Sequence, residues 1–402
     1  MSAFAPAPKP ENRLARYRAL SPKAAVHVSP LQLGAMSVGD KWGQFGFGST
    51  DKESSFKLLD AYFDAGGNFI DTANNYQDQT SEQFIGEWAE KRGIRHELVI
   101  ATKYTSNYVN RDGKTTQQVL FTGNNYKSMA VSLENSLKNL RTSYVDILYL
   151  HWWDYDTSVE EVMNGLNTLV KQGKVLYLGV SDTPAWIVSK ANQYARDHGM
   201  SEFIIYQGAW NVMSRDFERE IIPMARQERM ALAPWNVIGG GRLRSDEEEE
   251  RRRQTGENGR TNTGKGWERT ESERKVSNAL HKIAKEVGTP HLTAVAIAYV
   301  MQKTTHVFPI IGGRKIEHLH ANIDALKIQL TKEHIQELES LVPFSLGFPY
   351  DFFVGPYLHY TKFSPSPDGL QGTDDGPYNA LMKTAGYIEK QHGASPIVPD
   401  RD

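Results

Sequence analysis

Cysteine is absent from all 402 residues, which rules out disulfides, thiolate nucleophiles and Cys-ligated metals in one step. Charge of one sign is missing too. Lys and Arg number 46 against 48 Asp and Glu, a formal net charge of -2, so nothing global draws the chain to nucleic acid or to an anionic membrane. Any anion must be met by a local cluster. No apolar run is long enough to span a bilayer. The first twenty residues mix Pro and Ala with Arg and lack an apolar core, unlike a secretory signal. These absences lead to the expectation of a soluble, cytoplasmic protein with no nucleic-acid or membrane partner.

What is present is organised around Gly67-Asn68-Phe69-Ile70-Asp71-Thr72-Ala73-Asn74-Asn75-Tyr76. A Gly pair leads into a short apolar strand and an Asn pair leads out, so the strand delivers a carboxylate and, five residues later, a phenol. Leu98 to Lys103 and Val145 to His151 are apolar runs that also end on a polar group. If parallel strands end at one rim, Asp71, Tyr76, Lys103 and His151 share a pocket.

The periodicity carries this pattern through the chain. Strands are expected at 31–36, 68–70, 98–103, 145–151, 175–181, 203–207, 230–234 and 306–310, with helices at 52–65, 81–92, 126–140, 159–172, 184–198, 217–226 and 316–326. Ser81 is the expected N-cap of the second helix. Strands alternating with helices require parallel crossovers, and eight units imply a single (β/α)8 barrel. The competing open doubly wound sheet would need a G-x-G-x-x-G turn after its first strand, which the Gly39–Gly48 loop does not supply. Residues 1–24 read as a loose arm, 25–341 as the barrel and 342–402 as an aromatic-rich extension whose first half packs on the barrel. The charged insertion 242–275 reads as a solvated loop with a helical piece tied by opposite charges.

At the rim, Tyr76 is the candidate proton donor. A neighbouring Lys103 ammonium would lower its pKa, Asp71 would hold the lysine, and His151 would hydrogen-bond the substrate oxygen. Such a site has no reductant of its own, so a nicotinamide or flavin is implied. Ser181, Asp182 and Gln207 are candidates for holding a carboxamide, and Trp235 for stacking on the ring. Gly312, Gly313, Arg314 and Lys315 ahead of a helix form a local anion site. Singly, each has a plainer role: an internal ion pair, a structural histidine, a core tryptophan, a turn. Their shared position at successive strand ends favours the joint reading.

With these residues in place, the sequence resembles the aldo-keto reductase superfamily from about Leu31 to Leu341. The match runs through Gly67-x-x-x-Asp71-Thr72-Ala73, Tyr76, Glu82, Gly86, Ile100-Ala101-Thr102-Lys103, Leu150-His151, Gly179-Val180-Ser181 and Gly312-Gly313-Arg314-Lys315 with Leu319 and Asn322. The segments His151-Trp152-Trp153-Asp154, Gly179 to Trp186 and Ala233-Pro234-Trp235-Asn236 look like the fungal aryl-alcohol dehydrogenase branch, which includes norsolorinic acid reductase relatives. The resemblance implies NADP(H) as cofactor and no metal. It makes Asp71, Tyr76, Lys103 and His151 a catalytic tetrad, puts Ser181, Gln207 and Trp235 on the nicotinamide, and puts Arg314, Lys315 and Asn322 on the adenosine phosphate. Asp182 stands where many relatives have Asn, and His318 where some have a phosphate-binding Arg. The expected reaction is reversible reduction of an aldehyde or ketone, with Trp42, Trp152 and Trp153 at the mouth favouring an aromatic substrate. The alternatives are a nicotinamide-binding subunit like the potassium-channel β subunits and a polyketide-pathway reductase.

Overall fold

In the computed structural model, residues 4–256 and 266–348 are described. An N-terminal hairpin, β1 (Arg18–Ser21) and β2 (Ala24–Val28), precedes eight parallel strands: β3 (Gln32–Gly34), β4 (Phe69–Asp71), β5 (Val99–Tyr104), β6 (Val145–Leu150), β7 (Val175–Ser181), β8 (Phe203–Ala209), β9 (Ala231–Trp235) and β10 (Ile310–Ile311). The spatial order runs β10-β3-β4-β5-β6-β7-β8-β9. A parallel bridge from Leu232 to Val307, with Phe308 N–H donating to Leu232 O at 2.8 Å, joins the last strand region to β9 and closes the circle.

Between the strands come α1 (Lys52–Asp64), α2 (Thr80–Arg92), α3 (Tyr126–Asn139), α4 (Val159–Lys171), α5 (Ala185–Asp197) and α6 (Ile221–Gln227). After β9 follow α7 (Asp246–Thr255), α8 (Glu271–Glu286) and α9 (Leu292–Lys303), and after β10, α10 (Ile316–Ile323) and α11 (Lys332–Ser340). Strand alternation separates two cores. Ile100, Tyr104, Leu148 and Leu150 face outward onto the helices, while Phe69, Val99, Ala101, Ile147, Tyr149, Ala233 and Phe308 fill the barrel.

Four sequence expectations change. Residues 18–24, expected in the loose arm, are ordered: with 25–28 they form an antiparallel hairpin that sends Leu20, Ala24 and Val28 into the interior cluster, while Leu14 joins the outer core. Burial of these apolar side chains, together with the antiparallel backbone pairing, offsets the ordering cost of a short hairpin. Ser81 is not a cap. Helix α2 starts after Gln79 with no side-chain cap, and Ser81 Oγ is buried between Thr72 Oγ1 and Ala35 O, both at 2.9 Å. The insertion contains the helical piece but is not simply solvated, because Glu249 lies buried between Arg244 and Arg269. Helices α8, α9 and α11 were not anticipated at all. At the other end Val342 packs on the outer core, Arg215 and Arg219 cover the Phe344 ring, and Arg219 donates to the carbonyls of Ser345 and Leu346. The aromatics Tyr350, Phe352, Phe353, Tyr357 and Tyr360 lie outside the described residues.

Candidate active site

Strand register brings the rim together. Asp71 pairs with Ala101 across β4 and β5, Lys103 with Tyr149 across β5 and β6, Tyr149 with Gly179 across β6 and β7, and Ser181 with Gln207 across β7 and β8. Alternate residues point inward, so Asp71, Lys103 and Tyr149 aim at the same end of the barrel. Gly179 is required there. A Cβ at that position would lie 2.5 Å from the Tyr149 ring.

Lys103 is fully buried and is the hub. Its ammonium donates to Asp71 Oδ2 at 2.7 Å, to Thr72 O at 2.8 Å and to Tyr76 Oη at 3.5 Å. Asp71 Oδ1 accepts from Gln207 Nε2 at 2.8 Å, so both carboxylate oxygens are held. Burial pushes the Lys103 pKa down, yet Asp71 and then Tyr76 more than offset it, and the pKa lies above its ordinary value. The Tyr76 phenol does not follow the sequence expectation. Burial raises its pKa by more than the Lys103 charge lowers it, and Asp71 adds to the rise, so the hydroxyl keeps its proton at neutral pH. His151 faces Tyr76 edge-on with ring centres 5.9 Å apart. Burial, then the Lys103 charge, pushes its pKa down to about 3, which leaves a neutral imidazole.

The aromatic expectations divide. Trp42 is buried beside the phenol, its ring centre 6.1 Å from Tyr76, and its Nε1 donates to Asp78 at 2.8 Å. Trp152 is at the rim and 38 % exposed. Trp153 instead packs against the hydrophobic core, which is where its large apolar surface is best satisfied. Sequence reading missed Gln77, which pins the loop carrying Trp42. Its buried amide donates to Met36 O and Gly48 O and accepts from the N–H groups of Lys41 and Trp42, all within 3.0 Å. Residues Gln77, Asp78 and Gln79 all have positive φ. No composition signal marks such a left-handed run in side chains that rarely adopt it.

Further round the rim, Ser181 Oγ is buried with no hydrogen-bond partner among the described residues, an orphaned hydroxyl of the kind a bound polar ligand would satisfy. Asp182 is exposed as a residue, but its carboxyl lies back against the rim and accepts from Trp235 Nε1 at 3.2 Å. Desolvation of that carboxyl pushes its pKa up to about 6, against the pull of the hydrogen bond and of Lys103. Trp235 leaves more than a third of its surface open. Gly312, Gly313, Leu319 and the buried Asn322 line a small cleft with Leu33, Leu58 and Ile311. Arg314 and Lys315 are exposed above it, and Lys315 precedes α10 with no side-chain cap on the helix N-terminus. A Cβ at Gly48 would meet Arg314 at 3.3 Å, so the Trp42 loop and the basic pair adjoin. The donor set suits a dinucleotide: a carboxamide near Ser181, Asp182 and Gln207, a flat ring near Trp235, and a phosphate near two cations at the start of α10.

Comparison with known proteins gives the same outline. A family model described as "Aldo/keto reductase family" matches residues 30–343. The chain is 54% identical to an aryl-alcohol dehydrogenase [NADP(+)] of Phanerodontia chrysosporium, over 100% of both chains. It is 50% identical to norsolorinic acid reductase B of Dothistroma septosporum, over 89% of this chain and 88% of the relative. The aldo-keto reductase ausK of Aspergillus calidoustus is also 50% identical, over 87% of this chain and 88% of the relative.

Proposed function

The chain belongs to the aldo/keto reductase family, and we propose that it reversibly reduces an aldehyde or ketone, preferably aromatic, with NADP(H) and with Tyr76 as proton donor. Lys103 carries this assignment: a buried ammonium fixed by Asp71 and the Thr72 carbonyl spends its remaining reach on the Tyr76 hydroxyl. When bound, the reduced nicotinamide supplies the hydride. The chain supplies the proton and the electrostatics. Tyr76, protonated at neutral pH, gives its hydrogen to the carbonyl oxygen, and the phenolate left behind is stabilised by the adjacent ammonium. Neutral His151 donates an N–H to the same oxygen, so negative charge on it is met from two sides. Ser181, Asp182 and Gln207 would hold the carboxamide, Trp235 the ring face, and Arg314, Lys315 and Asn322 the adenosine phosphate. Trp42 beside the phenol and Trp152 at the rim favour an aryl substrate.

Tyr76→Phe keeps the ring and removes the acid. Reduction of veratraldehyde by NADPH is expected to slow by about 10²–10⁴-fold in kcat, with the NADPH dissociation constant unchanged. Wild-type turnover in that variant would eliminate the phenol as donor. Replacing Arg314 and Lys315 together by Ala should weaken NADPH binding far more than NADH binding, and equal losses would cancel the phosphate assignment. A second reading, a larger polyketide ketone in the same site, is supported by the 50% identity to norsolorinic acid reductase B. A higher kcat/KM for a polycyclic ketone than for veratraldehyde would favour it.

A further inference from the structure

His151 is held by a residue that sequence reading passed over. Ser106 Oγ lies 3.3 Å from His151 Nδ1, and Trp152 Nε1 donates to that same Oγ at 3.2 Å. An indole N–H can only donate, whereas a serine hydroxyl has one hydrogen to give and two lone pairs to receive. Trp152 therefore occupies a lone pair of Ser106. The Ser106 hydrogen stays available to give, and His151 Nδ1 is the ring nitrogen within its reach, accepting from it when the imidazole proton sits on Nε2.

We propose that Ser106, oriented by Trp152, is a positioning residue that fixes His151 as the Nε2–H tautomer, so that the N–H of the other ring nitrogen is the one offered to the substrate oxygen. This rests on the reading of His151 as an oxygen-binding group. The backbone is built to hold the aim. Thr105, immediately before Ser106, is a β-branched residue at φ 99°, well inside the region that such side chains avoid. Its Oγ1 accepts from the His151 N–H at 3.3 Å and from Asn124 Nδ2 at 2.9 Å, and Asn74 Nδ2 donates to Ser106 O at 3.2 Å. The pair Thr105-Ser106 thus grips His151 by its main chain and by its ring. Because the imidazole is neutral at physiological pH, it carries one ring proton, and which nitrogen bears it decides whether the group can donate. Trp152, expected from sequence to form part of the substrate wall, acts here through its indole nitrogen.

The tautomer is read directly by ¹⁵N NMR of the full chain labelled at histidine, without added ligand, using His151→Gln to assign the resonance. The expected result is a pyridine-type Nδ1 and a pyrrole-type Nε2. A protonated Nδ1 would overturn the proposal, since Ser106 would then be accepting from both rings. Ser106→Ala should give a mixed tautomer signal and lower kcat for carbonyl reduction by about 10-fold, a part of what a positioned proton-transfer group supplies, with NADPH affinity unchanged. Ser106→Thr keeps the hydroxyl and should restore most of the rate, and Trp152→Phe should shift the signal in the same direction as Ser106→Ala. Wild-type kcat in Ser106→Ala would also overturn the proposal. If that variant fails to fold, the wild-type spectrum decides alone. A correct tautomer together with full activity in Tyr76→Phe would reject the proton-donor reading and leave the Trp152–Ser106–His151 relay standing.

Discussion

Lys103, Tyr76 and His151 show how a few charges in a partly enclosed site set one another's protonation. Lys103 stays charged because Asp71 and Tyr76 outweigh desolvation, and His151 stays neutral because burial and that same charge both oppose a second positive group. The sign for stability follows. Between pH 6.5 and about 3 the unfolded chain protonates His151 while the folded chain does not, so the unfolded state binds more protons and stability falls as pH drops through that window. His151→Gln removes this contribution. Melting temperatures at pH 7 and pH 4 should therefore differ less in His151→Gln than in the wild type, and an equal difference would show that the histidine is not desolvated. Asp71, Lys103 and His151 were legible in the sequence because each closes an apolar run, which marks a strand end, and Tyr76 because it lies in the loop five residues beyond one of them. Ser106 and Gln77 were not, because small polar residues in a loop carry no periodicity. The direction of the Tyr76 shift was not legible either, since it depends on burial set by Trp42 and the rest of the rim.

Among the elements, α2 is held closer to its neighbour than an ordinary side chain allows. A Cβ at Gly86 would lie 2.4 Å from Asn139 O and 2.6 Å from the Leu140 backbone. Helix propensity alone says that Gly86→Ala should stabilise by about 1 kcal/mol. The obstacle is main chain, which cannot swing aside, so overpacking wins and a net loss of about 1–3 kcal/mol is expected in urea unfolding. A stabilised variant would show that α2 and α3 can separate at little cost. The eight strands and most helices were readable because one face of each meets the core at a regular period. Helix α9 was not, since its residues from Ala294 to Val300 are all buried, and a helix covered all round loses the amphipathic signal. The hairpin β1–β2 was hidden by its Pro- and Arg-rich approach, which resembles a loose arm until the barrel end it covers is known.

For the molecule as a whole, the segment after β9 is anchored by a buried ionic cluster. Glu249 accepts from Arg244 at 2.9 Å and from Arg269 at 2.7 Å, with Arg253 and Arg274 on its other oxygen, and Arg244 also lies under Trp267. Glu249→Ala removes the carboxylate shared by two buried guanidinium groups, leaving Arg269 to Asp246 and Arg244 to the carbonyls of Gly241 and Trp267, and a loss of about 3 kcal/mol is expected by chemical denaturation. Glu250→Ala, one residue along on the exposed side of α7, should leave stability close to that of the wild type. Similar effects from the two would mean that the cluster is solvated after all. Among the described residues no helix is long and apolar enough to cross a membrane. By itself the sequence determined the alternation of strands and helices, hence the parallel barrel, and which polar groups end the strands, because both are written in local periodicity. Tertiary structure alone decided which of those groups meet, that the phenol's pKa is raised rather than lowered, that Trp153 packs against the core, and that Ser106 addresses His151. Each of these depends on distances between segments far apart in the chain, and on the loss of water around them, quantities that no local pattern of residues encodes.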